Sequence, residues 1–257
     1  MAVHARGHVT TVATDKASNL QPDTSWDGFY LAGGISALLY ILCGLVVPFV
    51  LITTTPFHAL QMTGEQTLAF IASHRLWYFS LQSTVLVSSI FGVIAIAALY
   101  LALERAHKSL ALLGALIGVT CQILFLAYYP VLLGLIGLSD KYAAATASEA
   151  GSVATAALPL IAQNNAFNPL YEGMFAVGVL FLSLAMLRGV FHRAVAYLGI
   201  ATTVSALLAL SLFGVLGVSY FWWWLVFAFW FVAAGWRLIR LGMRSRSERR
   251  GHEAVAA

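Results

Sequence analysis

From Arg193 to Arg237 the chain runs through two helix lengths with no Asp, Glu, Lys or Arg between the two arginines. Apolar runs in buried helices of soluble proteins stop at roughly 14 residues, whereas a hydrocarbon core about 30 Å thick requires about 20. Other long windows repeat the pattern, and composition agrees with it. Hydrophobic residues make up 61% of the 257 positions and charged residues only 9%. An ordinary soluble domain carries about 25% charged residues, so this chain cannot coat a globular surface with polar groups. The sequence reads as an integral membrane protein.

The apolar windows predict an all-α polytopic bundle of six transmembrane helices. They cover residues 29–53, 77–103, 110–138, 170–187, 194–217 and 220–241, within one domain spanning 26–242. Trp26 and Tyr30 stand where interfacial aromatics anchor the first span, and Pro48 predicts a kink near its far end. Residues 1–25 are polar and lack an apolar stretch, reading as a disordered cytoplasmic tail; residues 243–257 form a basic tail. The third window exceeds the bilayer thickness, so a bend or tilt around Tyr128-Tyr129-Pro130 is expected. Between the third and fourth windows, the Ala-rich stretch 142–158 predicts a short surface helix. Gln163-Asn164-Asn165 and Asn168-Pro169 then predict a turn. Gly217-Val218-Ser219 implies a tight hairpin between the last two spans.

Orientation follows from the cations, because cytoplasmic loops are enriched in Lys and Arg. Arg6, Lys16, Arg105, Lys108, Arg188, Arg193 and six C-terminal arginines fall on one side of the six spans; Arg75 and Lys141 fall on the other. Twelve against two predicts both termini in the cytoplasm. The net charge of +4 comes largely from that arginine tail, which suits anionic lipid at a membrane surface better than nucleic acid.

Several stretches resemble a family of six-helix bacterial membrane proteins, domain of unknown function 4386. They are Leu31-Ala32-Gly33-Gly34 through Leu39-Tyr40, Ser73-His74-Arg75-Leu76, and Leu99-Tyr100-Leu101-Ala102-Leu103. Leu187-Arg188-Gly189-Val190-Phe191-His192-Arg193 and Gly235-Trp236-Arg237-Leu238-Ile239 add to the likeness, although the family's connection usually has Pro where His192 or Arg193 stands. The resemblance implies the fold and a location in the bacterial inner membrane; it implies no reaction.

Chemistry is sparse. Glu172, just inside the fourth span, is the ionisable group nearest membrane depth, where a charge is expensive and often functional. With Arg75, His74 and Asn168 it makes a candidate outer polar pocket, set against the simpler reading that these groups sit in the headgroup region. Gln82 and Gln122 make a candidate intramembrane polar stripe. Gly114, Gly118 and Gln122 recur every four residues on one helix face, the spacing of close helix packing bonded across by an amide. Trp222-Trp223-Trp224 reads as an aromatic belt, since consecutive helical residues point about 100° apart.

Cofactors and metals are not expected. His58, His74 and Glu172 share the outer side without ligand spacing. No histidine or lysine lies within a span, and the hydrolase motifs are missing. Cys43 and Cys121 read as packing residues. The sequence points away from an enzyme. Two classes remain: a non-catalytic membrane component assembling with itself or a partner, and a small-molecule permease or channel.

Overall fold

The computed structural model describes residues 23–54, 63–216 and 223–256. Seven α-helices follow a short 3-10 turn at Thr24–Trp26. We label them α1 (Asp27–Ile41), α2 (Val47–Thr54), α3 (Gly64–Ser73), α4 (Arg75–Ala144), α5 (Ala147–Met186), α6 (Arg193–Leu216) and α7 (Trp223–Ala256). No strand occurs among the described residues. Counting α1, the π turn at Leu42–Val46 and α2 as one continuous helix, five helices are long and apolar enough to cross a membrane. Such helices suggest a membrane protein.

The π turn has a local cause. Pro48 cannot donate to the carbonyl of Gly44, and its ring crowds that group. Widening the preceding turn relieves the clash without ending the helix. The kink expected at Pro48 is thus expressed just before it.

Helix α4 has 70 residues and would extend roughly 105 Å at about 1.5 Å per residue. It does not do so, because His107 leaves helical geometry (φ −158°, ψ 82°) and the chain doubles back there. The imidazole Nδ1 of His107 accepts the Leu110 backbone N–H at 3.4 Å, capping the returning arm. The two arms run antiparallel in close register: Ser83 bonds Tyr129 at 3.2 Å, and Gly118 packs against Ile96. His192 repeats the device at the α5–α6 turn, where its Nδ1 accepts the Ala194 N–H at 3.2 Å.

Neighbouring helices pack in chain order into a closed ring. Gly33 of α1 meets Ala98 of the first α4 arm, and Gly114 of the second arm meets Gly178 of α5. Thr203 of α6 donates to the Ala176 carbonyl of α5 at 3.0 Å. Gly199 of α6 lies against Trp230 of α7, and Gly235 of α7 returns to Gly34 of α1. With no Cβ at 34 or 235, the two backbones come close enough that a Cβ on Gly34 would stand 2.5 Å from the Gly235 carbonyl oxygen.

One end of this ring, the His107 end, gathers Asp23, Arg105, the α5–α6 turn and the stretch of α7 around Gly242. Arg105 pairs with Asp23 at 2.7 Å, Gly189 abuts Leu103 and Ala106, and Gly242 abuts Asp27 and Leu31. At the opposite, His74 end the helices project further than the ring itself. There α3 starts with a capping box, in which Thr63 accepts from the Gln66 N–H and Gln66 accepts from the Thr63 N–H. Its Leu68 and Ile71 form a second small core with Tyr78, Leu135, Ile136, Ala154 and Ala157.

This projection corrects three expectations. The third window does not bend away its excess length; helix continues through Pro130 to Ala144, and the surplus joins the second core. The stretch 142–158 is not a separate surface helix, and Gln163 to Pro169 is not a turn. Both belong to α5, which runs unbroken through Pro159 and Pro169. Phe167 stacks on Tyr128 with ring centroids 4.3 Å apart, so packing outweighs the local turn preference of Asn and Pro. The expected hairpin at Gly217-Val218-Ser219 lies outside the described residues, as do His58 and Trp222.

Candidate functional site

The interior of the ring is filled by aromatic side chains from three helices. Tyr40 of α1 contacts the rings of Phe175, Phe227 and Phe231, the closest centroid lying 5.0 Å away. Along α5, Phe167, Tyr171 and Phe175 stack one turn apart. Their spacing of four residues puts them on one face, the face turned inward.

Two polar groups are set into this packing. Gln122, fully buried, donates from Nε2 to the hydroxyl of Tyr171 at 3.1 Å and to that of Tyr40 at 3.4 Å. Its Oε1 has no hydrogen-bond partner. Gly92 makes room for the amide, since a Cβ there would stand 2.9 Å from the Gln122 carboxamide carbon. Glu172 is 5% exposed. Its two carboxylate oxygens each accept one indole N–H, from Trp223 and from Trp224, both at 3.3 Å. Charge-assisted acceptance of this kind satisfies a buried carboxylate far better than packing alone.

The candidate outer pocket is not assembled as drawn from sequence. Arg75 pairs instead with Asp140, 3.1 Å away across the projecting end of the α4 hairpin. His74 stacks on Phe70 and its Nδ1 lies 2.9 Å from the Ser73 hydroxyl. Asn168 is half-buried, one turn before Glu172. Glu172 faces α7, where sequence reasoning had only an aromatic belt. Trp223 is fully buried, and the pair Trp223 and Trp224 brackets the carboxylate although consecutive side chains diverge on a helix. Their rings nevertheless converge, with centroids 4.6 Å apart, and each indole takes one oxygen.

The candidate stripe is likewise divided. Gln82 stands one turn beyond Tyr78 on its own arm, level with the region near Tyr129 to which its neighbour Ser83 bonds. Gln122 stands level with Gly92. Ten residues of helix separate the two levels, about 15 Å at about 1.5 Å per residue. Gly114 and Gly118 do take the packing position: a Cβ on Gly178 would stand 3.2 Å from the Gly118 nitrogen and 3.3 Å from the Gly114 oxygen.

Sequence reasoning missed Tyr40, Tyr171, Trp223 and Trp224 as partners of these groups. The available signal was a carboxylate and an amide at spans whose neighbours carry phenol and indole donors. Among the described residues, no group of three or more His, Cys, Asp or Glu is placed to hold a metal ion. Compared with family models, with curated proteins and with solved structures, the chain matches none.

Proposed function

We propose that this chain is a six-crossing protein of the bacterial inner membrane, both termini cytoplasmic, acting as a non-catalytic component that assembles with itself or a partner. The carrying observation is the sealed interior. Gln122 is fully buried, and its amide is packed between Tyr40, Tyr171 and Gly92, where Tyr40 and Tyr171 themselves lie against Phe175. The two α4 arms count as separate crossings in this reading. Support for the orientation comes from the His107 end, where Arg105, the Arg188–Arg193 turn and the arginines of α7 collect, whereas the cations of the His74 end are Arg75 and Lys141. Support for assembly comes from the projecting end, where Leu76 is 82% exposed and Leu158 about half exposed, both outside the six spans read from the sequence. Apolar surface of this kind beyond a bilayer favours a protein partner or a second copy. Anionic lipid along the basic tail, and kinship with the six-helix family whose residues this chain resembles, belong to the same proposal.

A small-molecule permease is the second reading. Glu172 and the unpartnered Gln122 Oε1 favour it, because polar groups inside a span are costly and often mark a substrate path. Three measurements separate the readings. A reporter fused after Ala150 is expected outside the cytoplasm; a cytoplasmic signal overturns the topology. Cysteine at position 122, in a chain with Cys43 and Cys121 replaced by alanine, is expected to resist a membrane-impermeant thiol reagent. Rapid labelling there would move the assignment to a permease. Cross-linking from position 76 in membranes is expected to capture a second copy or a partner, and an exclusively monomeric protein would sink the assembly reading.

A further inference from the structure

A cleft opens at the His107 end where the α5–α6 turn meets α7. Val190 and Leu241 form its apolar floor, and Arg237, Arg240 and Arg244 line its walls around a cavity of about 180 Å³. The arginines are three and four residues apart, so they share one face of α7. The Arg240 guanidinium carbon lies 5.3 Å from the Trp236 ring centroid, a cation–π contact. The acids described at this end are Asp23, Asp27 and Glu104. The start of α1 brings Asp27, whose carbonyl abuts Gly242, while Asp23 is engaged by Arg105.

We propose that this cleft binds the phosphate of an anionic lipid headgroup, with the glycerol and first methylenes resting on Val190 and Leu241. Guanidinium groups present planar pairs of donors that match phosphate oxygens. Several converging on one cleft outbid the scattered attraction of a basic tail. Inorganic phosphate offers the same oxygens but leaves the apolar floor uncovered; a lipid covers both. The inference rests on the chain lying in a membrane. It is independent of which way the termini face and of whether the protein assembles.

The test uses the full-length protein in uncharged detergent, titrated with phosphatidylglycerol, phosphatidylcholine or inorganic phosphate, with binding read by microscale thermophoresis. Phosphatidylglycerol is expected to bind saturably while the other two do not bind at the same concentrations. R240Q is expected to weaken it roughly fivefold, the contribution of one basic residue near an anionic surface, and R237Q/R240Q more than tenfold. R249Q/R250Q, further along the tail, is expected to leave binding unchanged. Equal binding of phosphatidylcholine overturns the proposal, as does displacement by inorganic phosphate at similar affinity, which would name a soluble ligand. A loss in R249Q/R250Q matching that in R237Q/R240Q also overturns it, since diffuse tail charge would then suffice. If the double variant fails to fold, R240Q decides alone, its side chain being exposed. A negative result here leaves the crossing number and the sealed interior untouched.

Discussion

The Nε2 of Gln122 donates to the hydroxyl of Tyr171 at 3.1 Å, joining the second α4 arm to α5 at the centre of the ring. The same nitrogen reaches Tyr40 on α1, so one amide ties three helices. Interhelical hydrogen bonds in membranes average about 0.6 kcal/mol, and Oε1 has no partner to lose. Gln122→Leu is therefore expected to cost only about 1 kcal/mol. Gln122→Ala adds a cavity and should cost about 3 kcal/mol. Unfolding of the two variants in mixed micelles measures the difference, and equal losses would mean that the amide rather than the volume matters.

Close backbone approach sorts the glycines. A Cβ at position 114 would stand 2.9 Å from the Gly178 carbonyl oxygen, whereas at 118 the nearest atom is the movable end of Ile96. Gly114→Val is expected to destabilise by more than about 2 kcal/mol, with Gly118→Ala milder. At Gly137 and Gly151 a Cβ meets nothing within 4 Å. Alanine there should stabilise by about 0.5–1 kcal/mol, the helix-propensity difference. Thermal unfolding of the four variants checks both signs.

Glu172 is expected to be more sensitive to loss of acceptors than to loss of charge. Glu172→Gln retains one carbonyl oxygen for one indole. Glu172→Leu leaves the N–H of buried Trp223 unpaired, a cost of about 1–3 kcal/mol. Stability should fall further in the leucine variant, and tryptophan fluorescence should shift in both. The reverse order would show that the indoles contribute little.

Acid should loosen the start of α5. The Thr146 hydroxyl and then its backbone N–H hold the exposed Glu149 carboxyl below its usual value of 4.5. A carboxyl depressed in the folded state stabilises above its unfolded value, and that contribution is lost as pH falls through the folded one. Amide exchange at residues 146–150 is therefore expected to quicken as pH drops below 4.5, after correction for intrinsic rates. In Glu149→Gln the pH dependence should vanish.

Much of the helical plan was legible because charge punctuates it. Glu104 to Lys108 brackets the turn at His107, and Arg188 to Arg193 brackets the turn before α6. Small residues at fixed spacing likewise marked Gly114 and Gly118 as a packing face, though not the helix they meet, which is α5. Pairings across the fold were not legible. Arg75 finds Asp140, 65 positions away, and Glu172 finds tryptophans 51 and 52 positions on. Sidedness alone placed Arg75 and Glu172 together, but sidedness does not say which helix faces which. The run from Gln163 to Pro169 misled for a different reason. Its turn chemistry is real, yet Phe167 in its midst stacks on Tyr128, and that partner lies in another helix.

The turn at His107 also bears on how the two arms align. A single residue departs from helical geometry there, so no slack separates the two arms of α4. Sliding one arm past the other by a single turn would demand about 5.4 Å of extra chain, which this connection lacks. The hairpin is thus self-registering. With the turn held at His107, the second arm has little freedom to slide along the first.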